Sequence, residues 1–262
     1  MLLVADNVQI TKRAVRMGLK NRDTVPIQHL VRQCLAAGAD AIDINPGLLT
    51  RQPGAAMTFL VETVQAVAQC PILLDTANAD ALAAGLAVCK GPAIINGISL
   101  APDRLERMLP VAADADADII GYLLTPNGHV PSDAQARLNV ALELVSTLEK
   151  RGIDPARLII DPVIAPMTWD NGSGHAEDVL TVLRHLPDLL GHPVRTIGGL
   201  SNLTSGGVDR DKKILLERTY VPMLAAAGLT MMMNMTHTDT VRTAKVCRML
   251  RSGSIFTWEA LS

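Results

Sequence analysis

The sequence predicts a closed (β/α)8 barrel. Three observations carry that expectation: eight short apolar runs spread along the chain, amphipathic segments at helical spacing between them, and a length of 262 residues. A barrel of this kind takes about 250 residues, so one domain over residues 1–262 uses the chain without remainder. A doubly wound open sheet is the alternative that the same alternation permits. No low-complexity linker or change of composition marks a second domain.

The runs are "LLVA" (2–5), "AIDI" (41–44), "PILLD" (71–75) and "AIIN" (93–96), then "DIIGYLL" (118–124), "RLIID" (157–161), "VRTIGG" (194–199) and "LTMMMN" (229–234). Each is short and nearly unbroken by polar residues, as a parallel strand covered on both faces requires. After the first comes "PIQHLVRQCLAAGA" (26–39), after the second "AAMTFLVETVQAVAQ" (55–69), and after the fifth "SDAQARLNVALELVSTLEKRG" (132–152). In the last of these Leu138, Ala141, Leu142, Val145 and Leu148 recur at helical spacing, and Lys150, Arg151 and Gly152 close the segment as a helix C-terminus does.

Composition limits the partners. Hydrophobic residues make up 48% of the chain, enough for a sizeable core. Only Trp169, Trp258, Tyr122, Tyr220, Phe59 and Phe256 are aromatic, which argues against base-stacking platforms. The formal charge is −2 with both signs interspersed, so neither nucleic acid nor an anionic membrane surface is an expected partner. Cys34, Cys70, Cys89 and Cys247 are scattered, without zinc-ligand spacing, and read as thiols of a reducing compartment. Met1 leads straight into "LLVADNV", which lacks a signal peptide's pattern, and no apolar stretch reaches the ~20 residues of a membrane span. The expected location is the cytoplasm.

In such a barrel, chemistry sits at the C-terminal mouth, on the residues that end each strand. Here those are Asp6 and Asn7, Asp43 and Asn45, Asp75, Asn96, Asp161, Ser201 and Asn202, and Asn234. All are carboxylates, amides or a hydroxyl. No Ser/His/Asp set, Cys/His pair or Schiff-base lysine accompanies them, and no protein-bound metal is expected. Any one of them alone reads as a helix cap; their convergence on one rim reads as a binding site. A carboxylate accepts two adjacent N–H donors, and an amide matches a mixed donor and acceptor edge. The ligand class is a planar, nitrogen-rich heterocycle.

The motifs "DAIDINPG", "LLDTANADALAAGL", "AIINGISL", "IIDPVI" and "GGLSN", in that order, resemble the pterin-binding barrels, and among them the methyltetrahydrofolate:corrinoid methyltransferases. The similarity runs from about Met1 to about Ala244. It implies a homodimer that binds methyltetrahydrofolate, or the tetrahydrofolate product, at the barrel mouth, while a separate corrinoid protein brings its cobalamin over the methyl group. By position, Asp75, Asn96 and Asp161 would grip the pterin, and Gly199, Ser201 and Asn202 would line the face near the reacting nitrogen. Asp43 and Asn234 join them as mouth residues. The methyl group leaves a tertiary amine, so its transfer needs a proton or a strengthened hydrogen bond at that nitrogen; Asn202 supplies one without titrating and is the catalytic candidate.

Two features set this chain apart from the family's pattern. The first strand commonly ends Gly-Glu-Arg-x-Asn, and here reads Ala5-Asp6-Asn7-Val8-Gln9; the loop after Asn202 is longer. Two rival readings stay open. One is a dihydropteroate synthase, although "VIAPMTWDNGSG" after "IIDP" and "NMTHTD" at the last strand lack that enzyme's basic signatures. The other is a noncatalytic barrel that binds folate or a corrinoid protein. His237 reads as part of a helix start, with Thr236 or Thr238 as its cap, and His129 as an exposed loop residue. Met231, Met232, Met233 and Met235 read as packing, and Arg210, Lys212 and Lys213 as a solvated helix entrance.

Overall fold

The computed structural model describes residues 1–48, 52–206, 209–234 and 237–253. Eight parallel strands close in chain order: β1 (Leu2–Gln9), β2 (Ala41–Asn45), β3 (Ile72–Asp75), β4 (Ala93–Ile98), β5 (Asp118–Tyr122), β6 (Leu158–Asp161), β7 (Arg195–Gly199) and β8 (Met231–Met233). Met231, Met232 and Met233 of β8 pair with Leu2, Leu3 and Val4 of β1, which makes this a closed barrel and not an open doubly wound sheet. The helices are α1 (Arg13–Asn21), α2 (Val25–Ala36), α3 (Pro53–Gln65), α4 (Ala79–Val88), α5 (Pro102–Asp114), α6 (Ala134–Lys150), α7 (Gly172–Leu190), α8 (Arg210–Ala227) and α9 (Thr238–Arg251).

Alternation along each strand divides its side chains between two cores. Val4, Ala41, Leu73, Ile94, Ile120, Ile159, Ile197 and Met231 fill the barrel, one from each strand. Their neighbours Ile42, Ile72, Leu74, Ile95 and Ile119 face the other way and pack with Val31, Leu60, Leu82, Met108 and Leu144 of the helices. Each such buried aliphatic contributes about 1.5–3 kcal/mol through area removed from water. Branched residues dominate because they fit the pleated surface on both faces.

Helix ends follow local chemistry. Proline opens α2, α3 and α5, where a missing N–H leaves no partner wanting. Asn78, Asp133 and Asp209 cap α4, α6 and α8 by accepting backbone N–H groups of Ala81, of Ala136, and of Asp211 and Lys212. Gly191 and Gly228, at φ 73 and 111, end α7 and α8 in the left-handed conformation that glycine adopts without strain. All four cysteines are free thiols. Among the described residues no helix is long and apolar enough to cross a membrane.

Several strand boundaries differ from the sequence expectation, those of β1 and β8 most. β1 runs on through Asp6 and Asn7 to Gln9, with an irregularity in its pairing to β2 between Ala5 and Val8 that lets polar residues lie inside the strand. β8 is only Met231–Met233, and Asn234 lies just beyond it.

Candidate functional site

Moving two residues toward the C-terminal end from each apolar residue inside the barrel reaches the next side chain on the same face. From Ala41, Leu73, Ile94, Ile120 and Ile159 that step gives Asp43, Asp75, Asn96, Tyr122 and Asp161. The apolar core thus changes within one pleat into a polar floor. Register strengthens the convergence, because Asp75 sits level with Asn96 across β3 and β4, and Tyr122 level with Asp161 across β5 and β6.

Hydrogen bonds fix these groups in three sets. Asn96 donates from Nδ2 to Asp43 Oδ1 at 2.8 Å and accepts at Oδ1 from the Tyr122 hydroxyl at 2.6 Å, which fixes which end of the amide points where. Asn45 donates to Asp75 Oδ2 at 2.6 Å while its Oδ1 accepts the Gly47 N–H at 2.8 Å. Asp161 Oδ1 accepts the Val163 N–H at 2.8 Å, and Val163 adopts φ 61, a conformation unusual for a β-branched residue. Among the described residues, Asp75 Oδ1 and Asp161 Oδ2 accept no hydrogen bond from the protein. Each therefore keeps an oxygen for a ligand.

Electrostatics matches this geometry. Burial pushes the Asp161 carboxyl up to about 7, against the pull of the Val163 N–H and the Arg137 guanidinium. Burial raises Asp43 well above the carboxylate range, as does the charge of Asp75, while the Asn96 bond holds it back. Burial likewise raises Asp75, opposed by the Asn45 bond and by Arg104. The Tyr122 hydroxyl is raised by burial and then by Asp75, Asp161 and Asp43, so it stays a donor. A cleft that keeps several carboxylates partly desolvated suits a ligand with N–H donors to offer.

At the seventh strand, a 3-10 turn, Leu200–Thr204, follows Gly199 directly. Ser201 and Asn202 are exposed on it, whereas Leu203 and Thr204 are buried beneath. A Cβ at residue 199 would come within 3.3 Å of Asn202 Nδ2, so the glycine lets the amide lie close over the strand end.

The structure brings Asp43, Asp75, Asn96 and Asp161 together, and none of them is the cap of a following helix. Gly199, Ser201 and Asn202 stand on the adjoining turn. Asn234 is buried instead against α8, where Nδ2 donates to Glu217 Oε2 at 3.2 Å. His237 itself occupies the cap position of α9 without a side-chain cap bond; Thr238 is the first helical residue, and Thr236 lies outside the described residues. His129 is exposed. Met231 and Met233 pack inside the barrel and Met232 toward the helices, while Met235 lies outside the described residues. Lys212 and Arg210 are exposed in the first turn of α8.

Several residues enter the site without having been singled out for it. Tyr122 is one, and counting two positions on from Ile120 would have found it. Arg104 reaches the Gly97 carbonyl from α5 at 3.1 Å and acts on Asp75. Arg137, fully buried at the start of α6, donates to the His175 carbonyl at 3.4 Å, approaches its Nδ1 at 3.1 Å, and acts on Asp161. Long-range contacts of this kind leave no local signal in the sequence.

The pterin binding enzyme family profile matches residues 10–237, most of the barrel and every strand end from β2 to β8. The chain belongs to the pterin-binding enzyme family. Within it, the methylcorrinoid:tetrahydrofolate methyltransferase of Eubacterium limosum is 22% identical over 209 residues, covering 79% of this chain and 75% of that protein. The methionine synthase of Mycobacterium leprae is 24% identical over 201 residues, which are 73% of this chain but 16% of that protein. Among solved structures, the Burkholderia cenocepacia dihydropteroate synthase superposes with a TM-score of 0.70 at 18% identity, covering 96% of this chain and 91% of that one. A Xanthomonas albilineans dihydropteroate synthase in complex with 7,8-dihydropteroate gives a TM-score of 0.66 at 19% identity over 97% and 94% of the two chains. At these identities the structural likeness establishes that this pterin-binding enzyme shares their barrel fold.

Proposed function

We propose that this pterin-binding enzyme transfers a methyl group between methyltetrahydrofolate and the cobalt of a corrinoid carried by a partner protein. The observation that carries the reading is the shared polar floor of Asp75, Asn96 and Asp161, each held by its own hydrogen bonds, with the exposed Asn202 amide on the adjoining turn. The free oxygens of Asp75 and Asp161 suit the paired N–H donors of a pterin ring, and Asn96, locked between Asp43 and Tyr122, presents a fixed amide to the ring's mixed edge. Similarity to a methylcorrinoid:tetrahydrofolate methyltransferase over most of both chains supports the same reading.

A reduced corrinoid supplies the nucleophile. The methyl carbon bonds to the cobalt as its bond to the pterin nitrogen breaks, the electron pair stays on that nitrogen, and a proton taken up from solvent completes tetrahydrofolate; the protein's part is to hold the ring and stabilise that nitrogen.

Calorimetric titration with methyltetrahydrofolate tests the pocket. Asp75→Ala should weaken binding by about 1.5–3 kcal/mol, the range for a hydrogen bond to a charged group. Affinity equal to that of the wild type would remove Asp75 from the site.

A further inference from the structure

Glu217, on α8, is a carboxylate that the mouth chemistry described above does not use. It is 2% exposed. Its Oε1 accepts the Thr204 hydroxyl at 2.9 Å, and its Oε2 accepts the Asn234 amide at 3.2 Å and the Thr240 hydroxyl at 3.3 Å. These donors come from three separate segments: the turn that bears Ser201 and Asn202, the residue after β8, and the first turn of α9. One buried side chain thus ties together the two last strand ends of the mouth.

We propose that Glu217 is a positioning residue for the Asn202 turn: by holding Thr204, the last residue of that turn, it fixes where the Asn202 amide stands. The inference rests on the methyl-transfer reading and adds to it a part outside the pocket. A backbone bond, from the Met167 N–H to the Leu203 carbonyl at 2.9 Å, and apolar contacts hold the rest of the turn, and together they leave the side-chain end at Thr204 to be fixed. Leu200 and Leu203 pack in the same cluster as Val221 and Leu224 of α8, which sets the depth of the turn, but such contacts are non-directional. The Thr204 bond is directional, and it lies two residues from Asn202.

The chemistry of the side chain supports this role. A buried carboxylate is costly unless donors satisfy it, and here three buried donors do. What the carboxylate adds is acceptors on both oxygens for three donors, which a glutamine, with one acceptor oxygen, does not match. Fully satisfied buried networks specify a single arrangement. An amide that stabilises a transition state needs such an arrangement, since a displacement of about 1 Å from reacting geometry costs on the order of a hundredfold in rate.

Thr204→Val, which replaces the hydroxyl by a methyl group in a side chain of the same shape, tests the proposal. Methyltetrahydrofolate affinity should stay within about twofold by calorimetry while methyl transfer to a reduced corrinoid slows about tenfold or more, the split expected when only the transition state is affected. Thr204→Ser should restore the rate. In the Asn202→Ala background Thr204→Val should cost less than about twofold, because two changes acting through one group are not additive. Wild-type turnover in Thr204→Val, an equal loss of binding and rate, or an undiminished loss in the Asn202→Ala background would each overturn the positioning role and leave methyl transfer standing. Absence of transfer by the wild type would overturn both.

Discussion

Asn202→Ala is expected to slow methyl transfer by about a hundredfold or more, the loss seen when one preorganised donor is removed from a developing charge, with methyltetrahydrofolate affinity changed only a few-fold. The asymmetry follows from where charge appears. In the bound substrate the pterin nitrogen carries a methyl group and needs little from a neighbouring amide; as the methyl leaves, the nitrogen gains an electron pair and the hydrogen bond strengthens. Asn202 lies on an exposed turn, and its amide approaches the strand end through the gap left by Gly199. A role confined to the turn itself would show differently. Melting temperature would fall while the rate per folded molecule stayed at the wild-type value, and that result would end the catalytic assignment without touching the pocket.

Asp161→Asn is expected to stabilise the protein at alkaline pH and at the same time to weaken pterin binding. Burial raises the Asp161 carboxyl to about 7 from its ordinary 3.8. A carboxyl raised in the folded state lends stability that is fully present below about pH 4, where it is protonated in both states, and that is lost as pH rises through about 7. Asparagine has no such loss. The variant should therefore match the wild type near pH 4, gain on it up to about pH 7, and stay ahead above that. The ceiling is about 4 kcal/mol, from the shift at roughly 1.4 kcal/mol per pH unit. Denaturant melts at a series of pH values measure it. A stability difference independent of pH would show that Asp161 is not the titrating group. Binding should move the other way, because the substitution turns an acceptor oxygen toward the ligand's donors into a further donor. Greater stability with lost affinity is the mark of a group kept for function.

Much of the barrel was legible because each strand is a short aliphatic run between polar segments, and two-sided burial demands that pattern. The boundaries were less so. Asp6 and Asn7 read as a stop, yet β1 continues past them because its irregular pairing with β2 accommodates polar residues within the strand. In "DIIGYLL" the apolar letters continue to Leu124, which hid that the strand ends at Tyr122 and that Tyr122 shares a face with Ile120. The same parity count separates Asn234 from Met233, and the structure buries Asn234 beside Glu217. Asp43, Asp75, Asn96 and Asp161 were recognisable because polar residues terminating apolar strands meet at one rim in this architecture. Arg104, Arg137 and Glu217 were not, because each reaches its partner from a helix whose sequence pattern reads as ordinary amphipathic surface.

Methyl transfer itself is the most direct measurement. The wild-type protein, mixed anaerobically with methyltetrahydrofolate and a Co(I) corrinoid, should convert the Co(I) absorption into that of methylcobalt while tetrahydrofolate accumulates in equal amount, and Asn202→Ala should do so about a hundredfold more slowly. A protein that binds methyltetrahydrofolate with no loss of its methyl to free or protein-bound Co(I) corrinoid, or that instead joins a dihydropterin pyrophosphate to aminobenzoate, would contradict the assignment.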